Sequence, residues 1–223
     1  MSSRFKAVIF DLDGTLLDTI ADIAAAANRV LESLGRPTYS LDVFLTLVGD
    51  GVVVLFERAM PDAMSDRDLM RTAIERFQVF YAEEWNKRSK PYNGIDDLLF
   101  WLQSQPMKVS ILSNKPDRFT KLCAAHFFPN FNFAHVDGQR AEVPRKPDPA
   151  GIRIIAADLK VSAEEIAYVG DTNTDMETAV SAGCYAIGVS WGFRSVEELK
   201  RSGADLIVDH PNQIAAFLGQ MDS

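Results

Sequence analysis

The sequence predicts an α/β protein: a mostly parallel sheet flanked by helices, with a smaller all-α domain inserted after the first strand. Three observations carry that reading. Short apolar runs alternate with helical patterns through most of the chain, residues 16–87 are helical in pattern with no strand between the helices, and several apolar runs end in carboxylates. A length of 223 residues exceeds the roughly 150 of an average domain and leaves room for a core with an insertion.

Residues 7–10, 109–112, 131–136, 166–169, 186–189 and 206–208 are short apolar runs and read as buried strands. Helical patterns with recognisable ends lie between most of them: 95–103 before Pro106, 116–127 before Pro129, 149–159, and 175–182 running into Gly183. Strands that alternate with helices are parallel neighbours, because parallel pairing requires a crossover connection. The inserted stretch carries helical patterns at 19–34, 41–48, 52–60 and 66–87, separated by Gly35 and Pro37, Gly49 and Gly51, and Pro61. The Pro91-Tyr92-Asn93-Gly94 turn marks the return to the sheet. The expected division is a core of residues 1–15 and 88–223 and a helical domain of residues 16–87, hinged near Asp18 and Arg88.

Composition excludes several classes. Hydrophobic residues at 47% and charged residues at 24% are those of a packed protein, not of a disordered or collagen-like one. Twenty-three basic against thirty-one acidic residues give a net charge of -8, which argues against a nucleic-acid partner. No apolar run approaches the roughly 18 residues of a membrane helix, so no membrane partner is expected. Residues 1–6 show no apolar leader, and Cys123 and Cys184 are too far apart in sequence to suggest a disulfide framework or a thiolate zinc site. A cytoplasmic monomer or homodimer is the expectation.

The chemistry is concentrated in acids at strand ends. Asp11 and Asp13 follow the first apolar run, two residues apart, with Gly14 permitting a tight turn beside them. Asp171 follows the 166–169 run, with Asp175 four residues on. In open α/β sheets ligands bind beyond the carboxyl ends of the strands, where these four acids would converge. Carboxylates so close raise one another's pKa and repel, and a hard divalent cation such as Mg²⁺ removes both problems. A third strand ends in Ser113-Asn114-Lys115, supplying a hydroxyl and an amide for a phosphoryl oxygen beside a helix start. Lys146, just before a proline-started helix, offers a fixed ammonium able to neutralise a carboxylate and a phosphoryl group together.

Taken together, the motifs Asp11-Leu12-Asp13-Gly14-Thr15, Ser113-Asn114-Lys115, Lys146-Pro147-Asp148-Pro149 and Gly170-Asp171-Thr172-Asn173-Thr174-Asp175 resemble the haloacid dehalogenase superfamily. The resemblance is to its phosphatase branch, a Rossmann-like core with a helical cap, and covers nearly the whole chain. It implies Asp11 as nucleophile and Asp13 as general acid/base, Lys146 as the charge-balancing residue, and Ser113, Asn114, Gly14 and Thr15 at the phosphate. It further implies Mg²⁺ held by Asp11, Asp171 and the carbonyl of Asp13, with Asp175 as an auxiliary acid. The activity implied is hydrolysis of a small phosphorylated metabolite through an aspartyl phosphate, in which a metal near Asp11 and a drier, cap-side position for Asp13 would separate their pKa values. The stretch Leu47-Val48-Gly49-Asp50-Gly51 is similar to phosphoglycolate phosphatases. Asp50 departs from that likeness by placing a negative charge where an amide suits a carboxylate-bearing substrate, and Arg145 by standing where a small residue is usual. A phosphosugar mutase, a pyrophosphatase or nucleotidase of the same superfamily, and a phospholigand-binding protein without turnover remain open at this point.

Overall fold

The structure is a computed structural model that describes residues 4–220; residues 1–3, on which part of the leader reading rests, lie outside them. In chain order it runs β1 (Ala7–Phe10), β2 (Leu17–Asp18), α1 (Ile20–Ser33), α2 (Leu41–Leu47), α3 (Val52–Ala59), α4 (Arg67–Glu84) and β3 (Lys90–Pro91). It continues with α5 (Ile95–Gln103), β4 (Lys108–Pro116), α6 (Asp117–Phe127), β5 (His135–Gln139), α7 (Ala150–Leu159), β6 (Ile166–Gly170) and α8 (Asn173–Ala182). The last elements are β7 (Tyr185–Val189), α9 (Val196–Arg201), β8 (Leu206–Val208) and α10 (Pro211–Gln220). No helix among the described residues is long and apolar enough to cross a membrane.

Among the described residues, six strands form one sheet in the order β5-β4-β1-β6-β7-β8, every pair parallel. Side chains alternate across it. Val8 and Phe10 of β1 and Ala167 and Val169 of β6 face the cluster made with α5, α6 and α10, while Ala7, Ile9, Ile166 and Tyr168 face the one made with α7, α8 and α9. With both faces covered, β1 and β6 read as continuous apolar runs, and their polar residues fall past the strand ends. Cys123 and Cys184 are free and buried within these clusters, where burial pushes their thiols up to about 11 and about 12.

Helices α1 to α4 pack around an apolar cluster of their own, joined from the sheet side by Phe119 and Phe193. The two chain crossings pair as an antiparallel ribbon, Leu17 with Pro91 and Asp18 with Lys90. Sequence patterning misses this ribbon because two residues per strand are too few to show a period. The strand expected at 131–136 begins at His135 instead. Phe131 and Phe133 pack on one another with ring centroids 4.6 Å apart in the preceding loop, so their alternation reflects loop packing rather than pairing.

Beside the ribbon, fully buried Asp22 of α1 accepts hydrogen bonds from the backbone N–H groups of Arg88 and Ser89, from the Ser89 hydroxyl at 2.7 Å and from Arg88 Nε at 3.0 Å. Burial alone would raise this carboxyl, but those donors outweigh it and hold it below the usual carboxylate value. A depressed acid contributes stability above its unfolded pKa of about 3.9 and loses it as pH falls through the lower folded value. Asp22→Ala is therefore expected to cost about 2–3 kcal/mol at neutral pH, since it strands the buried N–H and hydroxyl of Ser89 and removes the partner of Arg88. Urea denaturation should show that deficit shrinking below about pH 4; a deficit unchanged there would assign it to packing.

Candidate active site

β1 and β6 lie side by side in register, Phe10 opposite Val169, so both chains turn out of the sheet at the same edge. The N–H of Asp11 donates to Val169 O at 2.9 Å, which places Asp11 immediately past the sheet and next to Asp171. Gly14 turns the chain back with φ of +88°, and a Cβ there would stand 2.2 Å from Asp171 Oδ2. Only glycine allows that approach. The Thr15 hydroxyl donates to Asp171 Oδ1 at 2.8 Å, and the N–H of Phe193 donates to Asp171 Oδ2 at 2.8 Å.

Lys146 enters from the loop before α7, almost fully buried. Its Nζ lies 3.0 Å from Asp11 Oδ1, 2.6 Å from Asp175 Oδ1, 3.0 Å from the Tyr168 hydroxyl and 3.1 Å from Leu112 O. Burial would lower this ammonium, but Asp11 and Asp175 outweigh it and hold it well above the ordinary lysine value. Asn114 fixes the loop. Its Oδ1 accepts from the N–H of Lys146 at 2.9 Å and its Nδ2 donates to Lys146 O at 3.1 Å. Asp175 is committed at both oxygens, Oδ1 to Lys146 and Tyr168 and Oδ2 to the Thr172 hydroxyl and the N–H groups of Asp171 and Thr172.

Carboxylate oxygens of Asp11, Asp171 and Asp175 lie within 4.8 Å of one another, all buried. Burial pushes the Asp11 carboxyl up, against the pull of Lys146 and with the push of Asp175 and Asp13, to about 7. Asp171 is held well above the carboxylate range by burial and then by Asp175 and Asp11. Among the described residues Asp11 Oδ1 is buried without a hydrogen bond, and it lies in ion-pair contact with Lys146. Three carboxylates against one ammonium, with an unsatisfied oxygen among them, form a donor set that fits a hard divalent cation. Asp171 accepts one hydrogen bond at each oxygen, from Thr15 and Phe193, whereas Asp175 accepts two at Oδ1 and three at Oδ2, so Asp11 and Asp171 keep the more lone-pair capacity for such an ion.

Asp13 stands apart from that cluster. Its Oδ1 accepts from the Thr19 hydroxyl at 2.8 Å, and Lys115 Nζ reaches Oδ1 at 2.9 Å and Oδ2 at 3.0 Å. The expected order of wetness is reversed: Asp11 is the drier carboxylate, with 7% of its side chain exposed against 16% for Asp13. The reason is that Asp11 sits flush with the sheet edge, bonded through its N–H to Val169 O, whereas Asp13 lies two residues further along the turn that leaves it.

That cavity, about 50 Å³, lies between sheet edge and helical domain. Asp11, Asp13, Ser113, Asn114 and Lys115 form its floor, and Ile23, Val48, Val52, Leu55 and Phe77 its apolar roof. Of the residues expected at the phosphate, Ser113 and Asn114 face this space. Gly14 and Thr15 are turned to Asp171, and the Asn114 amide also braces Lys146. Arg145 is exposed and is not among the cavity's lining residues.

The charge of Asp50 is also directed elsewhere: it pairs with Arg58 Nη2 at 2.5 Å and accepts from the Thr174 hydroxyl. The stretch Trp191-Gly192-Phe193-Arg194 follows a strand, and its sequence placed it either at the border of the site or over the sheet edge; in the structure Phe193 lines the cavity and its neighbours pack behind it. Trp191 Nε1 donates to Thr15 O at 3.0 Å, a Cβ on Gly192 would stand 2.2 Å from Asp171 Cβ, and Arg194 donates to the carbonyls of Leu45 and Val48 across the domain junction.

The sequence model of the haloacid dehalogenase-like hydrolases matches residues 8–189. A phosphoglycolate phosphatase of Pseudomonas putida is 32% identical over 209 residues, covering 92% of this chain and 76% of the relative. One of Vibrio parahaemolyticus is 31% identical over 215 residues, covering 94% of each. A crystal structure from Lactobacillus delbrueckii subsp. bulgaricus superposes with a TM-score of 0.90 at 30% identity, over 96% of this chain and 98% of that one. With the match extending from β1 through β7 and so across every strand-end acid described above, the chain belongs to the haloacid dehalogenase-like hydrolases and is similar to the phosphoglycolate phosphatases among them.

Proposed function

We propose that the chain is a Mg²⁺-dependent phosphatase that hydrolyses a small phosphorylated metabolite through an aspartyl phosphate on Asp11, with residues 16–87 acting as a cap over the site. The observation that carries this reading is the buried Asp11 carboxylate, with one oxygen lacking a hydrogen bond, beside Lys146 and Asp171 on the floor of a cavity. Asp11, Asp171 and the main-chain carbonyl of Asp13 would hold Mg²⁺, which when bound would supply positive charge to the phosphoryl oxygens and favour an ionised Asp11.

The chain's own residues do the rest. An Asp11 oxygen attacks phosphorus while Asp13, the more exposed of the two carboxylates, gives a proton to the departing alcohol. Asp13 then takes a proton from the water that attacks the phosphorylated Asp11, and phosphate leaves with Asp11 restored. Lys146 offsets charge on Asp11 and the phosphoryl group throughout, with Asp175 and Tyr168 fixing its ammonium. Ser113 and the Asn114 region border the phosphoryl position. The apolar roof excludes water from the aspartyl phosphate until the leaving group has gone.

Phosphoglycolate is the first substrate to try. Two relatives at 31% and 32% identity are phosphoglycolate phosphatases, and the Asp50 charge that argued against a carboxylate-bearing substrate is neutralised by Arg58 and held by Thr174. The test is phosphate release from a panel of phosphometabolites, phosphoglycolate included, with Mg²⁺ and with chelator. Turnover that requires the metal is expected. Binding without release of phosphate from any of them would make the chain a ligand-binding protein, and transfer of phosphate to a second sugar a mutase.

A further inference from the structure

Lys115 is a buried cation at the end of β4, with 3% of its side chain exposed. Its ammonium has three protons and meets three acceptors: Asp13 Oδ1 at 2.9 Å, Asp13 Oδ2 at 3.0 Å and the hydroxyl of Tyr81 at 2.7 Å. Tyr81 comes from α4, in the helical domain, and is 1% exposed. Its ring stacks on Phe77 of the same helix, centroids 5.2 Å apart, and meets Phe119 of α6 edge-on at 5.0 Å. The hydroxyl is thus delivered from one domain to a lysine of the other, and that lysine grips the carboxylate assigned to proton transfer. Burial alone would depress the Lys115 ammonium, and Asp13 and Tyr81 facing it reverse the direction and raise it.

A lysine side chain has four rotatable bonds, and an acceptor on its third proton removes the freedom that two bonds to one carboxylate leave. If the helical domain moves off the core, Lys115 loses that acceptor and is held only by its two bonds to Asp13, whose Thr19 partner moves with the same domain. We propose that Tyr81 is a positioning residue: its hydroxyl, carried by the helical domain, fixes Lys115 and through it Asp13, so that the proton-transfer geometry is complete only when that domain is seated. The inference rests on the phosphatase reading, since it takes Asp13 as the proton donor.

Proton donation matters most for a basic alkoxide and least for a nitrophenolate, which departs unprotonated. The measurement is kcat/KM, which reports steps up to release of the alcohol, for an alkyl phosphate and for p-nitrophenyl phosphate in Mg²⁺. The proteins are the full chain, Tyr81→Phe, Lys115→Met and the double variant. Tyr81→Phe retains the ring packing and is expected to lower the alkyl value about tenfold and the aryl value less than about threefold. In the Lys115→Met background it should have no further effect. Equal losses on the two substrates, or full additivity with Lys115→Met, would overturn the role of Tyr81. Should Lys115→Met not fold, the leaving-group split in Tyr81→Phe decides alone. A full chain inactive on both compounds overturns the phosphatase reading instead, which keeps the two failures separate.

Discussion

Asp11→Asn is expected to lower kcat by about 10³-fold or more for alkyl and aryl phosphates alike, because it removes the attacking oxygen and not the proton donor. The insensitivity to leaving group separates this loss from that of Tyr81→Phe. Folding should not suffer. In chelator, burial pushes the Asp11 carboxyl up to about 7, with Lys146 opposing and Asp175 and Asp13 adding. A raised acid holds its proton more tightly folded than unfolded, so the protein loses stability as pH climbs from about 4 toward that value. Asp11→Asn lacks that part of the slope. Denaturation in chelator at about pH 5 and about pH 8 should show the parent falling more than the variant. Added Mg²⁺ should raise the parent's midpoint more than the variant's, since it binds the folded site through Asp11. Parallel pH slopes, or equal Mg²⁺ shifts, would mean that Asp11 does not hold the excess charge.

The second large effect belongs to Lys146→Met, a change of similar length that deletes the ammonium among Asp11, Asp175 and Tyr168. Stranding buried carboxylates costs about 3–5 kcal/mol, and loss of charge balance at phosphorus about 10²–10³ in kcat. The pH dependence distinguishes the ion pair from packing. Lys146 is raised above the ordinary lysine range, so its contribution is complete throughout neutral pH and is lost only above that range. In the variant the carboxylates relieve their repulsion by taking up protons, so the deficit should be smaller at about pH 5 than at about pH 8. Lys146→Arg should not rescue activity, because the planar guanidinium does not match a pocket of four acceptors converging on one point. A deficit independent of pH would point to shape as the contribution of Lys146.

Much of this site was legible in the sequence because its chemistry sits at strand ends, where local signals suffice. The apolar runs before Asp11 and Asp171 mark β1 and β6, and two parallel neighbours bring their following residues together. Lys146 was legible for the same reason, by its place before a proline-started helix. What escaped depends on partners far apart in the chain. Nothing around Asp22 announces Ser89, and nothing around Lys115 announces Tyr81. Each pairing comes from tertiary packing, which periodicity does not encode. Asp50 shows the converse. Its sequence position suggested a charge facing substrate, and the orientation of one side chain toward Arg58 and Thr174 reverses the implication.

The paired crossings at Leu17–Asp18 and Lys90–Pro91, clasped by Asp22, have a mechanical corollary. Two independent tethers would let the upper domain slide, tilt and twist. If residues 16–87 act as the proposed cap, tethers fused into one strip would make it a flap sewn along a single seam, with one easy swing about that line. On the cap reading proposed above, the bonds from Arg194 to Leu45 O and Val48 O and from Thr174 to Asp50 would be clips that such a swing has to undo before a substrate enters.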